Sequence, residues 1–361
     1  MSNFDKKTAV ILFNLGGPSS LDGVKSFLFN LFNDKAIIGI PQPFRFFLAH
    51  FISKVRLKKA QAIYAILGGK SPLLETTNAQ AYALERELSF IGNFKVFVAM
   101  RYTKPFSCDI IKNLQKYDPS EIILLPLYPQ FSSSTSGSSI NDFKRFTNKF
   151  FKKTAIKTVC CYPLDPDFIN SHSLLIKKTI AKNYDNNLSE FRFLFSAHGL
   201  PQKLINAGDP YVFHVTETSD AVVKNLAEIL QVEVEKIDSQ ICYQSKVGPM
   251  QWTSPSLDFE VRRAVLDNKI LVIIPISFVS DHSETLVELD VQYKDLAMSL
   301  GVKNYLRVPA LNLDGQFVKS LFEICKAVGA NNDAEFFSGK KAQKFCSKKL
   351  KFCPNTNSCE A

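Results

Sequence analysis

The stretch FLFSAHGLP, residues 193–201, passes from apolar β-formers to a histidine, a glycine and a proline within a few positions. A second stretch, ISFVSDHSETLVELD at 276–290, makes the same change, from apolar residues to histidine and carboxylate. Each pattern predicts a buried strand that delivers polar groups at its end, where open α/β sheets build their sites. The chain has only five histidines in 361 residues, and His198 and His282 both fall at such ends.

Outward from these stretches, apolar runs of five to eight residues alternate with longer helical stretches. That alternation predicts parallel βαβ units with both sheet faces covered. The expected strands are Ala9 to Leu15, Lys95 to Met100, Glu121 to Leu127 and Ala155 to Cys160, then Phe191 to Phe195, Ile237 to Cys242, Ile270 to Pro275 and Tyr305 to Val308. The words LFNLGGP and LFSAHGLP resemble one another, as do LLPLYPQFSSSTSGS and VIIPISFVSDHSET, which suggests a duplication. The expected fold is α/β: two similar doubly wound, Rossmann-like domains with parallel four-stranded sheets and a ligand cleft between them. The boundaries read as 1–164, 165–330 and a cysteine-bearing tail, 331–361, with a helix over 165–184 joining the halves and another near 314–329. The tail is polar and Lys-rich and is expected to pack loosely unless it binds metal.

A formal charge of +10 and a pI near 9.1 favour an anionic partner. Nucleic acid fits poorly, because the basic residues are dispersed and no nucleic-acid-binding signature is present. No apolar stretch is long enough to span a membrane. The N-terminal run AVILFNL reads as a first core strand and not as a signal peptide. A reducing cytoplasm is expected, so the eight cysteines read as buried thiols or metal ligands. Residues 34–59 set Phe44, Phe46, Phe47, Leu48, Phe51 and Ile52 beside Arg45, Lys54, Arg56, Lys58 and Lys59. This pattern suits an interfacial helix on an anionic membrane surface, or else a core helix with a basic outer face.

His198 is a candidate base or metal ligand, since imidazole titrates near neutrality and Gly199 and Pro201 let the chain turn to present it. A satisfied core histidine is the alternative. In the second stretch Ser280 or Asp281 can cap a helix, with Asp281, Glu284 and Glu288 at helical spacing on one face. Such a line of carboxylates can pass cations or protons, and Asp281 can orient His282. The same acids also suit a helix N-terminus electrostatically. The zinc-protease HExxH and serine-hydrolase GxSxG patterns are missing, and LGGP is only half a dinucleotide fingerprint, so no nucleotide cofactor is expected.

With these residues in hand, the chain resembles the ferrochelatases from about Val10 to about Leu313. The landmarks are FNLGGP, YAILGGKSPL, AMRYTKP, PLYPQFSSSTSGSS, SAHGLP, CYQSKVGPMQW and SDHSETLVELD. The resemblance implies a chelatase-like fold and a lyase that inserts Fe²⁺, its substrate, into a porphyrin. It implies that His198 binds metal and accepts protons with Glu284 as partner acid, and that His282 and Glu288 stand behind them. It places Leu15, Tyr64, Ser71, Arg101, Tyr102 and Trp252 around the macrocycle. Leu15 stands where some members carry a methionine or tyrosine ligand. Many members hold a [2Fe-2S] cluster with three tail cysteines. Here Cys346, Cys353 and Cys359 match those, with Cys160 or Cys161 as the fourth ligand; a tail of reduced thiols is the alternative. The implied product is protohaem from protoporphyrin IX, made by a monomer or homodimer lying peripherally on the inner membrane. Coproporphyrin III is the alternative substrate, and a non-catalytic porphyrin or haem carrier or sensor is the alternative class.

Overall fold

A computed structural model of the chain describes residues 6–181, 187–342 and 345–356. Its strands are β1 (Lys7–Asn14), β2 (Asn93–Met100), β3 (Glu121–Pro126), β4 (Ala155–Cys161), β5 (Phe191–His198), β6 (Ser239–Gln244), β7 (Ile270–Pro275), β8 (Tyr305–Arg307) and β9 (Phe336–Ser338). They make two parallel sheets, ordered β2-β1-β3-β4-β9 and β6-β5-β7-β8. All eight expected strands are present, with ends moved by no more than three residues. The fold is therefore α/β with two parallel sheets, as read from the sequence. The first sheet differs in having five strands, not four, because the tail adds β9 alongside β4.

Two compact units divide the chain: Met1–Tyr162 with Leu321–Lys348 and Phe352–Ala361, and Pro163–Ser320 with Lys349–Lys351. The first division falls within two residues of the expected 164/165, and most of the residues after 330 belong to the first unit. The expectation of a loosely packed tail is corrected. Phe337 is fully buried, Cys346 and Cys353 are buried, and Thr158 N–H donates to the Glu335 carbonyl at 2.7 Å. Further into the same unit, Lys157 and Glu121 form a buried ion pair at 2.5 Å. Lys157 Nζ also donates to the Val328 and Gly329 carbonyls at 3.0 and 3.3 Å, satisfying the end of the helix Gly315–Ala330.

β3 and β7 are buried at every residue, and Ala9 to Leu12 of β1 have no exposed surface. Strands covered on both faces lack alternation, which is why they read as unbroken apolar runs. Within each sheet the first strand in the chain lies between the next two: β1 between β2 and β3, β5 between β6 and β7. The carboxyl ends of β1 and β5 are therefore the topological switch points. After β1, Gly16 takes φ +83°, and a Cβ there would lie 2.3 Å from Thr103 Oγ1. At Gly17 a Cβ would meet Ser71 Cβ and Oγ at 2.5 Å. The LGGP word thus serves close packing of the strand-end turn.

The helix Pro166–Ile180, capped by Asp165 accepting from Phe168 N–H, carries a histidine with no polar partner. His172 is fully buried, edge-on to Phe168 with centroids 4.9 Å apart, and burial lowers its pKa from 6.5 to about 3. Between those values the unfolded chain binds a proton that the folded chain does not, so stability falls as pH drops from 6.5 toward 3. We expect His172→Phe to remove this loss. Urea unfolding at pH 7 and near pH 4.5 should show the wild type losing about 2 kcal/mol more than the variant. Equal losses would contradict it.

Candidate active site

β5 ends at the switch point of its sheet, and its last residue is His198. His198 pairs in register with Gln244, the last residue of β6, so both polar groups emerge on one edge. The chain leaving β7 reaches the same edge and enters a π-helix, Glu284–Tyr293. Here His198 Nδ1 and Glu284 Oε2 stand 2.8 Å apart. The two residues singled out from the sequence, 86 positions apart, are thus brought into direct contact.

The neutral tautomer that bonds this carboxylate is protonated at Nδ1, which leaves the Nε2 lone pair to meet a proton or metal. Burial opposes the imidazolium, but the Glu284 charge and hydrogen bond, with Glu288 behind, outweigh it and raise the pKa of His198. For Glu284, burial raises the pKa, but His198 and His282 together win and lower it to about 2. The His198 side chain is 37% exposed, so solvent reaches the pair. Glu288 moves the other way. Burial and the Glu284 charge raise its pKa against the Ser245 hydrogen bond.

The surroundings fix these groups. Gln244 Nε2 donates to the Glu284 carbonyl at 2.9 Å and its Oε1 accepts from Ser196 Oγ at 2.7 Å. Ser245, in left-handed backbone at φ +65°, gives Glu288 its N–H at 2.9 Å and its hydroxyl at 2.6 Å. Ser277 Oγ accepts the His198 N–H at 3.4 Å, and the Tyr211 side chain is buried beside them. Trp252 donates Nε1–H to the Val247 carbonyl at 3.1 Å and lies over Gly199, where a Cβ would sit 3.4 Å from its ring. Of these, Gln244, Ser245, Tyr211 and Ser277 were not singled out as site residues. The rule that found His198 also applies to Gln244 and Ser245, polar residues ending the apolar strand of CYQSK.

Two expectations for the second stretch are corrected. Ser280 and Asp281 do not cap the helix: it begins after Ser283, without a side-chain cap, and is a π-helix. Asp281 does not orient His282. It receives Arg307 Nη1 at 2.8 Å and Asn312 Nδ2 at 2.7 Å, while His282 Nδ1–H donates to the Ser280 carbonyl at 3.1 Å. The carboxylate line therefore consists of Glu284 and Glu288. His282 Nε2 stands 3.9 Å from Glu284 Oε2.

In the first unit, Leu15 is partly buried beside Tyr64 and Tyr102, which are 6% and 1% exposed. Ser71 is buried, with its N–H on the Pro18 carbonyl. Arg101 and Tyr102 are tied to Asp34, which accepts Arg101 Nη2 at 2.8 Å, Tyr102 Oη–H at 2.9 Å and Ser138 Oγ–H at 2.5 Å. A cleft borders this node, lined by Asn33, Asp34, Arg101, Cys108 and Asp142. No histidine lines it. Cys160 and Cys161 have sulfurs 3.4 Å apart, and hydrogen bonds link Cys353 to both Cys160 and Cys346. Among the described residues no group of three or more His, Cys, Asp or Glu is spaced around a single metal ion. Cys359 lies outside the described residues.

The helix Phe44–Ile66 exposes its apolar side. Phe44, Phe47 and Phe51 are 68%, 66% and 64% exposed, which excludes the core-helix reading of its aromatic face. Among the described residues, no helix is long and apolar enough to cross a membrane.

Comparison with known proteins identifies the family of the whole chain. The ferrochelatase family model matches residues 7–328. A ferrochelatase of Rickettsia felis is 47% identical over 350 residues, covering 96% of this chain and 98% of its own. One from Pelagibacter ubique is 44% identical, covering 97% and 99%. Among solved structures, SirB from Bacillus subtilis with Fe³⁺ superposes with a TM-score of 0.51 at 13% identity, covering 91% of this chain and 97% of its own, which supports the fold alone. The chain belongs to the ferrochelatase family, lyases that insert iron into a porphyrin in haem synthesis.

Proposed function

We propose that His198 and Glu284 carry out the insertion, acting on protoporphyrin IX. The carrying observation is the 2.8 Å contact that leaves Nε2 of His198 available at a switch-point strand end. Insertion requires Fe²⁺ to shed water and the macrocycle to lose two pyrrole protons. Imidazole and carboxylate are suitable replacements for water on Fe²⁺. Nε2 accepts one pyrrole proton, and Glu284 stabilises the resulting imidazolium. Glu288, partly exposed behind the pair, passes that proton on to solvent, and His198 returns to the neutral state for the second. Leu15, Tyr64, Ser71, Arg101, Tyr102 and Trp252 are our candidates for contacts to the macrocycle. Tyr102 acts through its packing, because its hydroxyl is occupied by Asp34.

The exposed phenylalanines of the helix Phe44–Ile66, with Lys54, Lys58 and Lys59 also exposed, support peripheral attachment to an anionic membrane surface from the cytoplasmic side. They also favour an apolar porphyrin over a more highly carboxylated one. Turnover with each porphyrin tests this choice: faster insertion into protoporphyrin IX is expected, and preference for coproporphyrin III would reverse it. Oligomeric state stays at monomer or homodimer.

The buried thiols suit a [2Fe-2S] cluster in donor type. Cys160 or Cys161 would hold it with Cys346, Cys353 and Cys359, and it would supply one-electron redox chemistry. Mutual hydrogen bonding and burial raise the pKa values of Cys160 and Cys346, so loading must expel their protons. An EPR spectrum of the dithionite-reduced protein should show the cluster signal and Cys353→Ser should lose it; a silent wild type would leave reduced thiols as the answer.

A further inference from the structure

The π-helix that carries Glu284 and Glu288 has a backbone form that is rare at this length, so something outside it must hold its register. On one side the hold comes from the end of β6, through Gln244 and Ser245. On the other side it comes from one guanidinium. Arg307, last residue of the three-residue strand β8, donates Nε to Asp290 Oδ1 at 2.7 Å and Nη2 to Asp290 Oδ2 at 2.5 Å. The same group gives Nη1 to Asp281 Oδ1 at 2.8 Å. Asn312 completes the grip, donating Nδ2 to Asp281 Oδ2 at 2.7 Å and accepting the Asp281 N–H at 2.9 Å.

Asp281 and Asp290 bracket His282, Glu284 and Glu288 in sequence. One rigid fork therefore fixes both the entry to the π-helix and its second turn, and with them the roll that brings Glu284 onto His198. We propose that Arg307 is a positioning residue for metal insertion, acting through Asp290 and Asp281 to hold Glu284 against His198. This inference rests on the assignment of His198 and Glu284 as the inserting pair. Arg307 itself touches no reacting atom. Its planar fork matters because lysine cannot serve both carboxylates with the same geometry. Without it, Asp281 and Asp290 become an uncompensated like-charge pair at the two ends of the segment.

The test is steady-state insertion by the full chain with Fe²⁺ and porphyrin at a temperature where circular dichroism shows each variant folded. Arg307→Met should lower kcat by about 10²-fold, the scale of a small misplacement of catalytic groups, with the porphyrin KM held within about twofold. Arg307→Lys should recover thermal stability but only part of kcat. Should Arg307→Met not fold, Arg307→Lys carries the test through its kcat. Asp290→Asn should also lower kcat, and adding it to Arg307→Met should cost nothing more, because the two act as one unit. A purely structural Arg307 would lower the melting temperature and leave kcat of the folded protein at wild-type level, which overturns the inference; so would losses that multiply in the double variant. His198→Ala is the control on the underlying assignment. If it is inactive while Arg307→Met is normal, only the positioning role falls. If it still inserts iron, both fall.

Discussion

His198→Ala should lower insertion by at least about 10³-fold while porphyrin still binds. The variant removes the only imidazole whose Nδ1 is held by Glu284 at 2.8 Å, and with it the lone pair at Nε2. His282 is a poor substitute. Its Nδ1 is committed to the Ser280 carbonyl, and its other nitrogen stands 3.9 Å from the same carboxylate. The fold should survive, because the ring is partly exposed and lies at the end of β5, beyond the buried run Phe191 to Ala197. Absorbance titration separates the two effects: unchanged porphyrin affinity with lost insertion is expected. Loss of binding together with insertion would assign the ring to the pocket wall.

The second large effect concerns the tail. Removing residues 331–361 should destabilise the first unit by several kcal/mol and drive self-association. β9 covers the edge of β4, with Phe336 opposite Thr158 and Ser338 opposite Cys161. Gly339 N–H closes the strand end on the Cys161 carbonyl at 2.6 Å. Phe337 is fully buried, and truncating a core phenylalanine alone costs about 3–5 kcal/mol. The uncovered edge would offer unpaired backbone groups and the Cys160–Cys161 pair to another chain. Thermal unfolding with size-exclusion chromatography reads both consequences. A monomeric 1–330 chain that melts with the full-length protein would show that the tail contributes nothing.

The parts legible in the sequence were those with strong local signals. β3 and β7 announce themselves because burial on both faces demands unbroken apolar residues, and His198 stands out because it ends such a run. β9 was missed because three residues in a polar, Lys-rich tail carry no periodicity; the edge of β4 makes them a strand. Asp281 was assigned to His282 by adjacency, whereas its partner Arg307 lies 26 positions away, beyond any local pattern. The helix after Ser283 is legible from its spacing, but its π form is not, because the four residues from Glu284 to Glu288 suit either form. Gln244 and Ser245 end an apolar run as His198 does, but their hold on the Glu284 carbonyl and the Glu288 carboxylate depends on a register pairing of β5 with β6 that only the folded sheet reveals.

The contact between His198 and Glu284 also has a signature in pH. Raising the His198 pKa stabilises the fold below about pH 6.5, and that contribution is lost as pH rises through the raised value. Lowering the Glu284 pKa from 4.5 stabilises it above that value, and this is lost as pH falls toward 2. The pair therefore stabilises most between about pH 4.5 and 6.5. The proposed mechanism needs the opposite state of the ring, because only neutral His198 accepts a proton, so insertion is expected to rise with pH through its raised pKa.

The most direct measurement is the pH profile of single-turnover insertion for wild type and Glu284→Gln at saturating porphyrin. With the carboxylate charge removed, the acid limb should move to lower pH and the plateau should fall by at least about tenfold. Superimposable profiles would mean that Glu284 neither tunes His198 nor takes part in insertion.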